Sequence, residues 1–390
     1  MNGRVDSGLV AAGRLVSDGI ELRDAWVLLE DGVVVELGDG PRPEVEVLAE
    51  APDGVLVPGY IDLHCHGGFG FAFDDGEAAI ASARRGHLAH GTTRSLVSLV
   101  TASIDDLEAR TAAAAAACAA DPLLLGIHIE GPFLAHAHRG AHDPGLLRDA
   151  RPDDVRRLIA AADGRLVQIT LAPERPGADE AIELLLAAGV RVAVGHTDAV
   201  LEGAADTFDR GASIVTHAFN GMFGLEHRAP GPLPAAFDRS GVTLEIISDG
   251  VHVHPRMVKL VFDEAPGRVA LITDAMVATG MADGRYLLGS LDVEVRDGVP
   301  RTVDTGSIAG STLTMGRAVR TAVERAGVPL VEAVDAATAV PARAIGVDDR
   351  FGRIAPGRVA DLVLLDAALG VRDVWADGVR YPPLADPASP

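Results

Sequence analysis

Between residues 55 and 276 the chain repeats one pattern: a short run of mostly apolar residues, then a longer stretch in which Ala, Leu and charged residues recur at helical spacing. The apolar runs are VLVPGYIDLHCH (55–66), TTRSLVSLV (92–100), LLLGIHIE (123–130), RLVQITLAPE (165–174), RVAVGHTDA (191–199), ASIVTHAFN (212–220), TLEIISDGVHV (243–253) and RVALITDAM (268–276). Between them lie helix-like stretches such as 77–91, 103–121, 152–163, 178–189 and 199–211, several of which end at Gly or Asp. Strands buried on both faces read as nearly continuous apolar runs, and strands that alternate with helices pair in parallel. The eight runs therefore predict a closed (β/α)8 TIM barrel of the α/β class.

The flanks have a different texture. Residues 1–57 hold β-branched runs (AWVLLEDGVVVELG and VEVLAEAPDGVLV) broken by Asp-Gly pairs that suit hairpins, and GRIAPGRVADLVLLDAALGVRDVWADGVRY repeats that texture near the other end. They predict a small β-sandwich domain built from both termini, residues 1–57 with 346–390, around a catalytic barrel spanning 58–345.

In such barrels the active site forms at the C-terminal ends of the strands. Here the ends are rich in metal-friendly side chains: His64 and His66 close run one, Glu130 run three, His196 run five, His217 run six and Asp274 run eight. The two-residue period of a strand puts His64 and His66 on one face and Cys65 on the other. A lone strand-end histidine is ordinarily a hydrogen-bonded core residue. Four histidines and two carboxylates at equivalent positions on five strands point instead to a divalent ion, with zinc the best match to nitrogen and oxygen donors and iron, manganese and cobalt the alternatives. If two ions bind, Glu130 is placed to bridge them; if one binds, Glu130, His196 and His217 make an open three-ligand site.

Composition narrows the partners. The 390 residues carry a formal charge of −22, with 56 acidic against 34 basic residues, which argues against a nucleic-acid or anionic-membrane surface. The N-terminal residues do not read as a signal peptide, and no uncharged run is long enough to span a bilayer, so the expected location is cytoplasmic. Cys65 and Cys118 form no redox or zinc-ribbon spacing. Lys259 is the only lysine and falls outside the fourth run, so no lysine is in place there to bridge two metals.

The segments PGYIDLHCHGG, GIHIEGPFLAHAHRGAHDP, TLAPE, VGHTDA, THAFNGM, HRAPG, SDGVHVHP, LITDA and GSIAGSTLTM, in that order, resemble the N-acetylglucosamine-6-phosphate deacetylase family of the amidohydrolase superfamily over essentially the whole chain. The resemblance implies a metal-dependent hydrolase that releases acetate from an amino-sugar phosphate and works as a homodimer. Position by position, it implies that Glu130, His196 and His217 hold the essential metal, that His64 and His66 hold a second ion where family members keep the pair, and that Asp274 moves the proton. It also implies that His142 contacts the substrate carbonyl, Asn220 and Gly221 the sugar, and Arg228 and His252 the phosphate and sugar end. Ile308, Ala309 and Gly310 would line the pocket.

Two departures from the family pattern carry expectations. Gly221 replaces a usual alanine, with little effect if the contact is through the backbone. Thr197 and Asp198 replace a usual serine and asparagine, and Asp198 is expected to cap the helix that follows. N-acetylgalactosamine 6-phosphate is the hardest alternative substrate to exclude. Other metal-dependent amidohydrolases, such as an N-acyl-amino-acid deacylase, a cyclic-amide hydrolase or a deaminase, share the barrel and metals without requiring Arg228. A silent scaffold would not keep every one of these groups.

Overall fold

The computed structural model describes residues 5–381; residues 1–4 and 382–390, the outer ends of the expected terminal module, lie outside the described residues. Its centre is an eight-stranded parallel sheet whose strands follow one another in chain order. These are β1 (Tyr60–Asp62), β2 (Thr92–Val100), β3 (Leu124–Glu130), β4 (Leu166–Leu171), β5 (Arg191–Val194), β6 (Ile214–Val215), β7 (Thr243–Ile247) and β8 (Val269–Ile272). Each falls inside one of the runs predicted from the sequence. The sheet closes at its C-terminal rim, where Asp274 N–H donates to His64 O at 2.8 Å and His66 N–H to Ala275 O at 2.8 Å.

Helices Glu77–Ala89, Ile104–Ala120, Pro152–Ala161, Ala178–Ala187, Leu201–Asp209, Pro255–Glu264 and Met315–Glu324 cover the outside. Their local signals are legible: the Ser103 hydroxyl accepts from Asp106 N–H at 3.1 Å, and prolines open the helices at 152 and 255, where the missing N–H costs nothing. Among the described residues no helix is long and apolar enough to cross a membrane.

Both ends of the chain build one seven-stranded sheet, in which Val47–Pro58 pairs parallel with Gly8–Ser17 and antiparallel with Leu362–Leu365. The sheet curls until the Val33 edge meets the stretch before its C-terminal strands, with Val34 N–H donating to Arg358 O at 2.8 Å and Ala360 N–H to Gly32 O at 2.8 Å. Val10, Val27, Leu29, Leu56, Leu364 and Trp375 fill the space between its two halves. Gly32 has φ +76°, and a Cβ there would stand 2.9 Å from Gly378 Cα, so the closure of the sheet requires glycine at this point.

This sheet joins the barrel through a buried ion cluster. Arg94, near the start of β2, gives Nε to Asp361 Oδ2 at 2.6 Å, Nη2 to Asp361 Oδ1 at 3.0 Å and to Asp377 Oδ1 at 3.1 Å, and Nη1 to Pro122 O at 2.7 Å. Its guanidinium also stacks 4.2 Å from the centre of the Phe351 ring.

One element was absent from the sequence reading. After β8 the chain inserts a three-stranded antiparallel sheet, Gly284–Leu288, Leu291–Arg296 and Val299–Thr302. It leans over the C-terminal rim, tied by Ser290 Oγ donating to Asp143 Oδ2 at 3.0 Å.

Candidate metal centre and active site

Glu130 ends β3 on the inner face of the barrel, and its two carboxylate oxygens look in different directions. Oε1 lies 3.1 Å from His196 Nε2 and 3.0 Å from His217 Nε2, which are themselves 3.0 Å apart. Oε2 lies 3.1 Å from His66 Nε2, 3.5 Å from His64 Nε2 and 3.5 Å from His142 Nε2. Asp274 completes the second side, with Oδ1 3.3 Å from His66 Nε2 and 3.6 Å from His64 Nε2; His64 and His66 meet at 3.0 Å through their Nε2 atoms. All seven residues are buried.

Hydrogen bonds cannot satisfy this arrangement. Three mutual contacts join Glu130 Oε1, His196 Nε2 and His217 Nε2, yet each neutral imidazole Nε2 offers one proton in one direction and the carboxylate offers none. One cation among the three satisfies every contact at once. Nitrogen and oxygen donors held about 2.0–2.1 Å from a four-coordinate zinc sit roughly 3.2–3.4 Å from one another, close to the separations found here. The residues therefore fit a divalent ion on the Glu130–His196–His217 side. The His64–His66–Asp274 side offers a second donor set, with Glu130 between the two.

The backbone is bent to make this convergence. His196, His217 and Asp274 all lie just past their strand ends with positive φ, +47°, +28° and +49°. L-residues resist that conformation by roughly 1–2 kcal/mol each. It hooks each side chain off the end of its strand and back over the barrel axis. The strain is offset by packing and main-chain hydrogen bonds such as Ala135 N–H to His196 O at 2.8 Å and Asn220 N–H to His217 O at 2.9 Å.

Burial and charge oppose each other in these groups. Burial alone would raise the Glu130 carboxyl, but the imidazoles of His64, His142, His196 and His217 hold it well below the ordinary carboxylate range. Asp274 behaves likewise: burial raises it, and His64 with His66 brings it down to about 2. Burial, aided by the neighbouring His196, drops His142 to about 4, so this imidazole is neutral at physiological pH.

Above the cluster opens a cavity of about 300 Å³. Glu130, His142, His196, His217 and Asp274 form its floor, while Asn220, Gly221, His252, Ile308 and Gly310 line its walls together with Leu288 from the inserted sheet. Two expectations, those for Ala309 and Asp198, fail against this geometry, and Arg228 stands apart from the cavity. Ala309 does not face the cavity; its side chain is buried with Met276, Val293 and Val295 beneath the inserted sheet, as alternation between Ile308 and Gly310 requires. Arg228 sits on an exposed stretch of residues 223–229 and does not line the cavity; among the described residues it makes no ion pair. Asp198 caps nothing: the following helix begins at Leu201 after Val200, and Asp198 Oδ1 instead faces His138 Nε2 at 3.3 Å.

That last contact has a counterpart within the loop, because His138 O accepts from His196 Nδ1–H at 2.8 Å and thereby directs His196 Nε2 to the cluster. Gly221 is also more constrained than the sequence suggested. With φ +60°, a Cβ there would come within 2.7 Å of His196 Nδ1.

A sequence profile of the amidohydrolase family matches residues 55–386. The chain belongs to the amidohydrolase family. This amidohydrolase is 38% identical to an N-acetylgalactosamine-6-phosphate deacetylase of Escherichia coli, over 95% of this chain and 98% of that protein. It is 33% identical to an N-acetylglucosamine-6-phosphate deacetylase of Vibrio furnissii, over 91% and 90%. Among solved structures, a mutant N-acetyl-D-glucosamine-6-phosphate deacetylase of Mycobacterium smegmatis in complex with N-acetyl-D-glucosamine-6-phosphate superposes with a TM-score of 0.92 at 41% identity, covering 96% of this chain and 99% of that one.

The sequence reading missed the polar interior below the amidohydrolase's mouth. Barrels of this kind are ordinarily filled by branched apolar side chains. Here Ser98 Oγ meets His128 Nδ1 at 3.0 Å, His128 Nε2 meets Thr170 Oγ1 at 2.8 Å, and Thr170 meets Thr216 at 2.8 Å. Gln168 Nε2 donates to Glu245 Oε1 at 2.8 Å. The signal was present: Asp62 two before His64, His128 two before Glu130, and Gln168 two before Thr170 repeat the strand period inside otherwise apolar runs.

Proposed function

We propose that this amidohydrolase hydrolyses N-acetyl-D-glucosamine 6-phosphate to D-glucosamine 6-phosphate and acetate, in the cytoplasm and as a homodimer. In this reading residues 58–345 form the catalytic domain, and 1–57 with 346–390 the terminal one. The observation that carries the reading is the shared carboxylate of Glu130, facing one histidine pair through each oxygen at the floor of a cavity large enough for a sugar phosphate.

Glu130, His196 and His217 would hold one divalent ion, and His64, His66 and Asp274 a second, with zinc the best match to the donor set. When bound, such an ion lowers the pKa of a coordinated water from ~15.7 to about 7 and polarises the acetamide carbonyl. Asp274, as a carboxylate, accepts the proton of the attacking water and passes it to the departing sugar nitrogen. An amine leaves far more readily with that proton than without it.

His142 stabilises the developing oxyanion. For this Nε2 must carry the ring proton, so Nδ1 must accept from the Thr101 hydroxyl. That contact, 2.8 Å, is the shorter of the two open to Thr101; the other is Glu130 O at 3.0 Å. Asn220 and Gly221 contact the sugar, and Ile308 with Gly310 walls the pocket. His252, held by Asp249 Oδ2 at 2.7 Å, meets the phosphate end. Arg228 closes on the phosphate from its exposed loop, where its planar fork suits two phosphate oxygens.

N-acetyl-D-galactosamine 6-phosphate is the second reading, favoured by the 38% identity to a deacetylase of that name. The deciding experiment measures acetate release by the metal-loaded protein from both amino-sugar phosphates, from their unphosphorylated forms and from an N-acetyl amino acid. Release from N-acetylglucosamine 6-phosphate well above the others supports the proposal. No acetate from either sugar phosphate refutes it.

A further inference from the structure

Behind His64, away from the cavity, lies a carboxylate the proposed mechanism does not use. Glu245 sits mid-strand in β7, in the run TLEII, and is fully buried. Its Oε1 accepts from Gln168 Nε2 at 2.8 Å, and its Oε2 stands 3.4 Å from His64 Nδ1. Among the described residues no Arg or Lys pairs with it. Buried carboxylates persist where donors or cations meet them, and here those are the Gln168 amide and the His64 ring edge.

The opposite edge of His64 faces the mouth, and His128 packs edge-on against the ring with centroids 4.5 Å apart. An imidazole that donates from Nδ1 to a carboxylate presents a bare, more basic lone pair at Nε2, the arrangement that orients a metal-bound histidine. The two sides of the mouth differ in this respect. His196 is directed by a main-chain carbonyl, His138 O, whereas His64 is directed by a side-chain carboxyl group.

His64 thus has three carboxyl groups on its two edges: Glu130 and Asp274 near Nε2 at 3.5 and 3.6 Å, and Glu245 near Nδ1 at 3.4 Å. One ion between Glu130, His196 and His217 leaves the carboxyl groups of Asp274 and Glu245 without a cation beside them on the His64 side.

We propose that Glu245, braced by Gln168, is a positioning residue that fixes the tautomer and direction of His64 and thereby sets how tightly the His64–His66–Asp274 side holds its cation. The inference rests on the reading of the mouth as a metal centre. Its rival is a permanently protonated His64 that serves as the missing cation, leaving room for one ion.

The test titrates metal-free protein with Co²⁺, counts bound ions per chain by elemental analysis and follows the visible spectrum of each equivalent. Wild type should take up two equivalents. Glu245→Gln should leave the first unchanged and weaken the second by about 10–100-fold, the usual cost of an outer partner of a metal-bound histidine. Glu245→Leu should lose the second altogether, and Gln168→Leu should weaken it by a smaller factor.

The glutamine variant preserves shape, since Gln168 Oε1, which has no partner among the described residues, can accept from the new amide. If the leucine variant does not fold, the glutamine variant alone decides. Wild-type affinity for both ions in Glu245→Gln overturns the proposal with the metal reading intact. A single equivalent in wild type overturns it in favour of the protonated His64. No uptake by wild type refutes the metal reading and this inference together.

Discussion

Two buried polar clusters occupy this molecule, one toward each end of the barrel, and they are built on opposite principles. Around Arg94 each donor has an acceptor, two carboxylates share the charge and an aromatic ring covers the guanidinium face. Around Glu130 donors crowd without satisfying one another, three strand ends are held at positive φ, and the Nδ1 atoms of His66 and His217 have no partner among the described residues. Burial is common to both, so it does not mark function. What distinguishes the mouth is incompleteness: its groups converge on points where a further species is needed, while the Arg94 cluster is closed on itself.

The sharpest way to break this comparison is to alter each cluster and read both stability and turnover. Asp274→Asn should lower acetate release by roughly two to four orders of magnitude, far more than the accompanying change in melting temperature could explain, because the carboxylate is needed to move the proton. Assays of turnover beside thermal melting check this; near-normal turnover would remove Asp274 from the proton transfer.

Arg94→Met should do the reverse. Stranding Asp361 without its cation costs about 3–5 kcal/mol, with activity per folded molecule unchanged, and a double variant that also makes Asp361 apolar should recover much of the loss. Denaturant titration of the three proteins measures it. A loss of under 1 kcal/mol would show that the junction is not held by this pair.

His87 lies between the two types: its Nε2 donates to Gly67 O at 2.8 Å, but its Nδ1 has no partner among the described residues. Burial pushes its pKa down from 6.5 to about 4. The unfolded chain therefore takes up a proton that the folded chain refuses in that interval. The stabilising contribution is complete above pH 6.5 and is lost as the pH falls toward 4, by at most roughly 3 kcal/mol. His87→Gln, which keeps an N–H for Gly67, should flatten the fall in the urea midpoint between pH 7 and pH 5; an identical slope would assign that titration to other groups. Thr101→Val tests the smallest effect, the tautomer of His142, and should cost about tenfold in turnover with metal content unchanged.

The barrel was legible in the sequence because its signal is local: apolar runs of strand length, each followed by a helix. The mouth was legible because period two and the rule of strand ends bring His64, His66, Glu130, His196, His217 and Asp274 together without knowledge of any long-range contact. The Arg94–Asp361 pair was not, since 267 residues separate its members and neither stands in a recognisable motif. The inserted sheet at 284–302 was overlooked because its strands are short and half exposed, with no apolar run to mark them. Asp198 misled because an acidic residue shortly before a helix resembles a cap, whereas the chain reaches Val200 in extended conformation before the helix begins.

The pairing of Val55–Pro58 with Leu362–Leu365 has a consequence for biosynthesis. A nascent barrel leaving the ribosome holds Arg94 long before Asp361 and Asp377 have been translated, so its guanidinium waits for carboxylates encoded 267 and 283 residues later. Until those arrive the polypeptide carries an uncompensated interior cation, and premature termination beyond the barrel would leave a molecule with all its mouth residues and no lock at its base.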